Sequence, residues 1–542
     1  MTPPDALPGQ NGPELVETAR LRVVANPADA DALFALGNAL WWTGAREEAV
    51  TALSRAVALR PDHADARNNL GNALVELDRP AEAVTHYRAA LAMRPRHAPT
   101  HYNLGNALLA TEQATEAQAC FQAALEIDPN HVGALNNLGN ALRSLGRAEE
   151  AAASYRKVLA LRPDFAGSHN NLGSALLALH RPAEAASCFI TALQLQPDYA
   201  EACNNLGGAM LALDRPDQAV QLFQRAAALD PGQVQARFGE SLALLSLGRL
   251  REGFEKYESR WLDPRFCEGV RAYDRPLWLN RPGSEIAGRT IVLHTEQGLG
   301  DTLQFVRYVP MVRRLGARVV LEAQPPLLPL LRGLADEVLP SGAELPPHEW
   351  QCPLLSLPLA FGTELHDIPA QVPYLRPSRT LRQAWQQALG PRVRRRVGIA
   401  FSGSTDHPED ALRSIPAALL LPLLAQPDVE FHVVQQDIRP ADAAALRMAA
   451  GLRSHGDRLT DFAETAALLS LLDLVVTVDT AVAHLAGALG LPVWILVQSN
   501  ADFRWLRGRE DSPWYPTARL FRQQERLRWE PVLARVAEAL AT

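Results

Sequence analysis

The sequence predicts a two-part molecule: an all-α solenoid, then two α/β units with parallel sheets. Three observations predict it. A 34-residue period runs through the first half, it stops near residue 262, and beyond residue 286 buried apolar runs alternate with helical patterns.

The period is carried by small and ring-bearing positions. Gly37, Gly71, Gly105, Gly139, Gly173 and Gly207 are each preceded by Leu, and Ala49 to Ala219 and Pro61 to Pro231 keep the same step. Tyr87, Phe121, Tyr155, Phe189 and Phe223 recur in phase, with Leu53 in the first repeat. Small residues let paired helices approach, the ring fills the space between repeats, and Pro ends each second helix. The pattern resembles the tetratricopeptide repeat. Residues 1–13 read as a disordered N-terminus. Residues 14–267 read as the solenoid: a half-repeat, six full repeats from Ala30 to Gln233, and a degenerate cap. Phe254, Tyr257 and Trp261 of the cap are expected to dock on the next domain.

Asparagine is a poor helix former, yet it recurs on one face of the first helices. Asn69, Asn103, Asn137, Asn171 and Asn205 precede the Leu-Gly pair; Asn38, Asn72, Asn106 and Asn140 follow it. Two readings stand. The amides either grip an extended peptide backbone, as in the asparagine ladder of O-GlcNAc transferases that this row resembles, or tie adjacent helices together.

Residues 268–285 break the period and are rich in Pro, Arg and Trp, which predicts a packed connector. Residues 286–390 form the first α/β unit. A strand over 290–294 leads through the turn Gly298-Leu299-Gly300-Asp301 into a helix reaching Arg314, and a strand over 317–323 follows; residues 352–361 do not declare their type. Residues 391–542 form the second unit, with strands at 397–401 and 431–434, a helix at 441–451, and a C-terminal helix expected to return across a cleft. Its signature is Asp473 to Val497, DLVVTVDTAVAHLAGALGLPVWILV: strand, turn, helix, strand. Asp479 and Thr480 are placed to cap that helix, whose N-terminus would face an anion at the carboxyl edge of the sheet.

Composition narrows the chemistry. A formal net charge of −7 without a basic block argues against nucleic acid. The N-terminus has no secretory pattern and no apolar run reaches spanning length, so a cytoplasmic protein without an integral membrane segment is expected. The five cysteines show no metal spacing. Lys157 and Lys256 are the two lysines among 53 basic residues, so cationic roles beyond residue 256 fall to Arg, His or a helix dipole.

Glu296 to Pro310 (EQGLGDTLQFVRYVP) resembles the start of the ADP-heptose:lipopolysaccharide heptosyltransferases, and DLVVTVDTAVAHLAGALGLPV resembles their donor-binding signature, with Ala481 where the family has Gly. SIP at 414–416, DSPWYP at 511–516 and LFRQ at 520–523 resemble bacterial tetratricopeptide-repeat proteins that carry such a domain. The resemblance implies a GT-B-like pair of Rossmann-like domains. It makes Asp301 either the general base or only a helix cap. It sets Asp479 near the donor sugar, the Thr480, Ala481 and Val482 N–H groups on the diphosphate, and His484 beside them unless that ring is simply packed. Gly298, Gly300, Ser402 and Arg413 complete the donor side, Arg413 standing in for a family lysine. The expected function is metal-independent, inverting transfer from a nucleotide sugar, with no other cofactor, to a protein or peptide held by the solenoid. The alternatives are a scaffold with a degenerate transferase domain, and a transferase acting on a glycan.

Overall fold

A computed structural model describes residues 12–267, 271–405, 410–449 and 451–541. The chain divides into two compact units, one ending at Ala209 and one beginning at Met210. No helix among the described residues is long and apolar enough to cross a membrane.

The first unit is a run of antiparallel helical hairpins, for example Ala98–Ala110 with Ala114–Ile127. The repeated glycine permits the hairpin. A Cβ on Gly105 would stand 2.5 Å from the Phe121 ring, and one on Gly71 2.6 Å from Tyr87. The rings fill that space and are fully buried. Each hairpin turns through a left-handed residue at one fixed position: Gly44, Asp78, Glu112, Gly146 and His180 all have positive φ. Of the N-terminus expected to be disordered, residues 1–11 lie outside the described residues. Gly12 and Pro13 instead open the helix Gly12–Ala25, because Pro is tolerated in a first helical turn.

The second unit begins inside the sixth repeat. The degenerate repeat folds as Val234–Ser246 and Leu250–Tyr257, followed by a 3₁₀ turn Glu258–Leu262. It docks as expected. Phe254 is buried edge-on to Phe305, at 6.3 Å, and to Phe503, at 6.2 Å. Residues 268–270 of the connector lie outside the described residues. The rest packs: Trp278 is fully buried, and Leu277 bridges to Gln351.

The first sheet contains β1 (Thr290–His294), β2 (Arg318–Ala323), β3 (Glu337–Pro340) and β4 (Trp350–Pro353). All are parallel, in the order β3-β2-β1-β4. The second contains β5 (Arg395–Ala400), β6 (Val429–Val433), β7 (Arg453–Ser454), β8 (Leu474–Val478), β9 (Val493–Val497) and β10 (Ala518–Arg522). It too is parallel, in the order β10-β9-β8-β5-β6-β7. The strand order reverses between β1 and β4 in one sheet and between β5 and β8 in the other. Such switch points open a crevice at the carboxyl ends of parallel strands.

Several expectations change. The helix from the Gly-rich turn to Arg314 is broken into Leu299–Phe305, a 3₁₀ turn Val306–Tyr308, and Val309–Arg314; Pro310 supplies no N–H to continue the first ladder. The helix expected to reach residue 451 is Pro440–Leu446. The C-terminal helix Glu530–Ala541 does not return across a cleft. It buries Val532, Leu533, Val536 and Leu540 in a core shared with β5, β6 and β8 of its own domain. The face between the two α/β domains is itself core: Phe305, Leu485, Trp505, Trp514 and Tyr515 join one apolar cluster with the solenoid cap.

Candidate active site

β8 ends at Val478 and the chain turns through Asp479 and Thr480 into the helix Ala481–Ala488. Thr480 is the N-cap residue, but neither it nor Asp479 caps the helix through its side chain. The Thr480 hydroxyl instead meets the Thr477 hydroxyl at 3.3 Å. The first N–H groups of any helix have no intrahelical acceptor, so the start of this one presents donors at the β5/β8 switch point.

The loop after β5 meets this turn. The Ser402 hydroxyl accepts from Gln435 Nε2 at 2.8 Å, and Gln435 Oε1 accepts the Phe401 N–H at 2.8 Å. Residues 406–409 of the loop lie outside the described residues. Arg413 donates to the Asp479 carbonyl at 3.1 Å and lies flat on Gly403, where a Cβ would come within 2.4 Å of its guanidinium. Arg439, after β6, pairs with Asp410 and donates to the Ser414 hydroxyl at 3.1 Å. Two guanidiniums therefore stand at the carboxyl edge that carries the helix N-terminus.

The first domain meets this edge through Leu299–Phe305. Gly298 is the N-cap of that helix, and its N–H donates to Asp301 Oδ2 at 2.9 Å. The other Asp301 oxygen is ion-paired with Arg504. Asp301 is thus both a cap and one half of a buried pair. Burial pushes its carboxyl upward, against the pull of Arg504. Gly300 serves close packing: a Cβ there would lie 2.8 Å from His484 Cδ2 and 3.6 Å from the Ala481 Cα. The helix carrying Asp301 is seated directly on the helix of the signature.

Arg504 organises the remaining contacts. Its Nε donates to Gln304 Oε1 at 2.8 Å and its terminal nitrogens reach Asp502 and Asp301. Asp502 in turn burdens Asp479. Burial first, then the Asp502 carboxylate, push the Asp479 carboxyl up to about 6, with Arg504 and Arg413 opposing. His484 is buried, stacked on Trp505 at 5.3 Å, and its Nδ1 meets the Tyr515 hydroxyl at 2.9 Å. Burial, then Arg504 and Arg307, push it well below the usual imidazole range, so at pH 7 it is a neutral ring.

Asp301, Asp479, Thr480, Ala481, Val482, His484, Ser402 and Arg413 are therefore brought to one region, with Gly298 and Gly300 holding the helix that faces it. Arg504, Asp502, Arg439, Gln304 and Gln435 escaped the sequence reading. A positional signal existed for two of them: Asp502 and Arg504 follow β9 at the same carboxyl edge.

The asparagines form a separate feature of the first unit. Asn69 donates to Asn38 at 2.8 Å, Asn103 to Asn72 at 2.9 Å and Asn137 to Asn106 at 2.7 Å, each one repeat back. Asn171 reaches Asn136 at 3.2 Å and Asn205 reaches Asn170 at 3.0 Å. The Tyr87 and Tyr155 hydroxyls join through Asn72 and Asn140. The two rows are thus hydrogen-bonded to each other between repeats. Each amide can make further bonds, and Asn103, Asn137, Asn171 and Asn205 remain partly exposed.

Tetratricopeptide-repeat models match residues 34–98, 97–164, 170–234 and 211–265. The glycosyltransferase family 9 (heptosyltransferase) model matches residues 444–503. The chain carries tetratricopeptide repeats and a glycosyltransferase family 9 segment. It is 30% identical over 336 residues to the protein FlbA of Caulobacter vibrioides, covering 56% of this chain and 54% of FlbA. The chain thus spans about half the length of that curated relative. Among solved structures it is similar to YrrB, described as a TPR protein with an unusual peptide-binding site. That likeness has 25% identity and a TM-score of 0.32, over 34% of this chain and 96% of YrrB. PilF of Pseudomonas aeruginosa shares 22% identity over 38% of this chain and 95% of its own, with a TM-score of 0.34.

Proposed function

We propose that the protein transfers a sugar from a nucleotide-sugar donor to a polypeptide held by the solenoid. One observation carries the reading: the N-terminus of the helix Ala481–Ala488, inside the family 9 match at 444–503, stands at the β5/β8 switch point with Arg413 and Arg439, which precede that match, beside it and Asp301 opposite. This is chemistry suited to a leaving diphosphate. The acceptor hydroxyl would give its proton to Asp301 as its oxygen bonds to the anomeric carbon. The bond from that carbon to the phosphate oxygen breaks, and the nucleoside diphosphate leaves with the electron pair, inverting the centre. Asp301 is paired with Arg504 in the free protein, so it acts only after Arg504 turns away. A bound diphosphate offers Arg504 a better partner, and the buried carboxyl it releases holds a proton more readily. Asp479 would accept hydroxyls of the donor sugar. The expected site is cytoplasmic, and no metal is assigned a role.

The same ion pair favours a second reading, a scaffold whose transferase domain no longer turns over. In that case Asp301–Arg504 and the Gly300–His484 contact are permanent packing.

A thermal-shift panel of nucleotide sugars separates the two. Transfer predicts stabilisation by at least one of them, weakened about ten-fold in affinity by joint Arg413→Gln and Arg439→Gln substitution. Absence of any nucleotide-sugar binding, with polypeptide capture retained, would leave the scaffold.

A further inference from the structure

The turn that carries Asp301 is held from the solenoid cap. Arg260 lies in the 3₁₀ turn Glu258–Leu262 that ends the cap, and it pairs with Glu296, 36 residues further along the chain. Its Nε and Nη2 donate to the two Glu296 carboxylate oxygens at 2.9 and 3.0 Å. Nη1 donates to the Tyr257 carbonyl at 3.1 Å and to Glu258 at 2.7 Å, and Nη2 also donates to the Ser356 hydroxyl at 2.9 Å. Every N–H of the guanidinium can thus be matched to an acceptor. The side chains of Arg260 and Glu296 are both fully enclosed. A forked pair fixes direction as well as distance. Its net worth to stability is small, because both charges had to leave water, so what it chiefly supplies is geometry.

The next residue is held in the same manner. Gln297 Nε2 donates to the Tyr257 hydroxyl at 2.6 Å. The Gln297 carbonyl accepts from Gln324 Nε2 at 2.8 Å, and Gln324 Oε1 accepts from the Thr302 hydroxyl at 2.9 Å. Gly298 then gives its N–H to Asp301. The turn therefore has two sets of partners: Tyr257 and Arg260 from the cap, and Gln324 from the end of β2. The Arg260 guanidinium lies over the Tyr257 ring at 4.7 Å, so the two cap residues also hold each other.

We infer that Tyr257 and Arg260 are positioning residues for Asp301, so that the solenoid cap sets the catalytic turn. This role rests on the transfer reading, in which Asp301 must come within hydrogen-bond reach of the acceptor hydroxyl. A solenoid that only held polypeptide would have no influence on donor hydrolysis, where water takes the acceptor's place and gives its proton to Asp301. A cap that sets the turn does influence it, because a displacement of about 1 Å at the base costs much of the rate.

Tyr257→Phe deletes one hydroxyl and keeps the ring beneath Arg260. Tyr308→Phe is its control: it deletes another buried hydroxyl of the same unit, one that meets the Thr363 hydroxyl at 2.9 Å and does not touch the turn. Hydrogen-exchange mass spectrometry of peptides spanning residues 295–303 needs no donor. Tyr257→Phe should quicken exchange there about five-fold, the worth of one buried hydrogen bond, and Tyr308→Phe should leave it unchanged. Arg260→Lys keeps a cation for Glu296 without the fork and should quicken it about ten-fold; should that variant fail to fold, Tyr257→Phe decides. Donor hydrolysis should fall about ten-fold in Tyr257→Phe, with the dissociation constant of the nucleotide sugar unchanged, and hold at the parent rate in the control. Unchanged exchange in the turn, unchanged hydrolysis, an equal loss in the control, or a loss that comes from weaker donor affinity would each overturn the inference. A parent that binds no nucleotide sugar sinks transfer instead, and exchange alone then decides whether the cap holds the turn.

Discussion

Asp479 sits at the end of a fully buried strand with a second carboxylate, Asp502, as its neighbour. Ionising it in the folded protein is therefore uphill, which is what a pKa of about 6 means. The unfolded chain ionises it near pH 4. A group raised in this way favours the folded state below the unfolded value, and that contribution is lost as pH rises through about 6. Asn keeps the shape without the charge. Asp479→Asn should thus match the parent near pH 4 and exceed it at pH 8, by roughly 3–6 °C in thermal melts. Equal melting across the range would mean that the carboxylate is not strained. The strain has a use in the proposed transfer, since hydroxyls of a bound sugar would solvate a carboxylate that burial leaves under-solvated.

At the scale of one helical hairpin, the repeat is held by a close approach and a turn, and only the first was visible in the sequence. Gly105 stands where a Cβ would overlap Phe121, so Gly105→Ala should cost about 2–3 kcal/mol through overpacking, despite the better helix propensity of Ala. The turn behaves oppositely. Glu112 has φ of 60°, a conformation that costs a side-chain-bearing residue about 1–2 kcal/mol, while Gly44 and Gly146 fill the equivalent position freely. Glu112→Gly should therefore stabilise by about 0.5–1 kcal/mol net of the backbone entropy that Gly loses on folding. Urea melts of the two single variants read both signs. The closeness of the approach was legible because Gly and the ring recur at fixed spacing. The turn was not, because Gly, Asp, Glu and His occupy it and only backbone geometry unites them. Long separation hid the site in the same way. Asp301 and Arg504 are 203 residues apart, and nothing local to either announces the pair. Asp301 and Asp479 were singled out because the heptosyltransferase resemblance fell on their two turns, and the structure places those turns after β1 and β8. β4 and β10 were missed because WQCP and ARLFR are short and carry Pro or Arg, which suits strands outside the sheet centre but gives no clean period.

Across the whole molecule the two compact units are stabilised by different means. Hairpins in the first are closed internally by buried rings and tied to their neighbours by asparagine bonds, as in any repeat array whose stability sums over neighbours. The α/β domains of the second are joined by a single cluster in which Arg307 is the central polar member. Arg307 is 4% exposed and lies over the rings of Tyr374, Trp514 and Tyr515 at 4.7–5.3 Å. It donates to the Gln304 carbonyl at 2.8 Å, the Trp514 carbonyl at 2.8 Å and the Tyr374 hydroxyl at 3.0 Å. These partners come from the Asp301 helix, the connection ahead of β5, and the aromatic loop ahead of β10, so one guanidinium ties both domains together. Lys keeps the charge but cannot reproduce a planar fork with donors in three directions, and it is more strongly hydrated. Arg307→Lys should leave carbonyls in that cluster unpaired at a cost of about 2–4 kcal/mol. Calorimetry can assign that cost to a unit. The parent should show separable solenoid and α/β transitions, with Arg307→Lys lowering only the second by roughly 5–10 °C and Gly105→Ala lowering only the first. If both substitutions shifted one common transition equally, the units would unfold as one, and the separate cores would not be separate in energy.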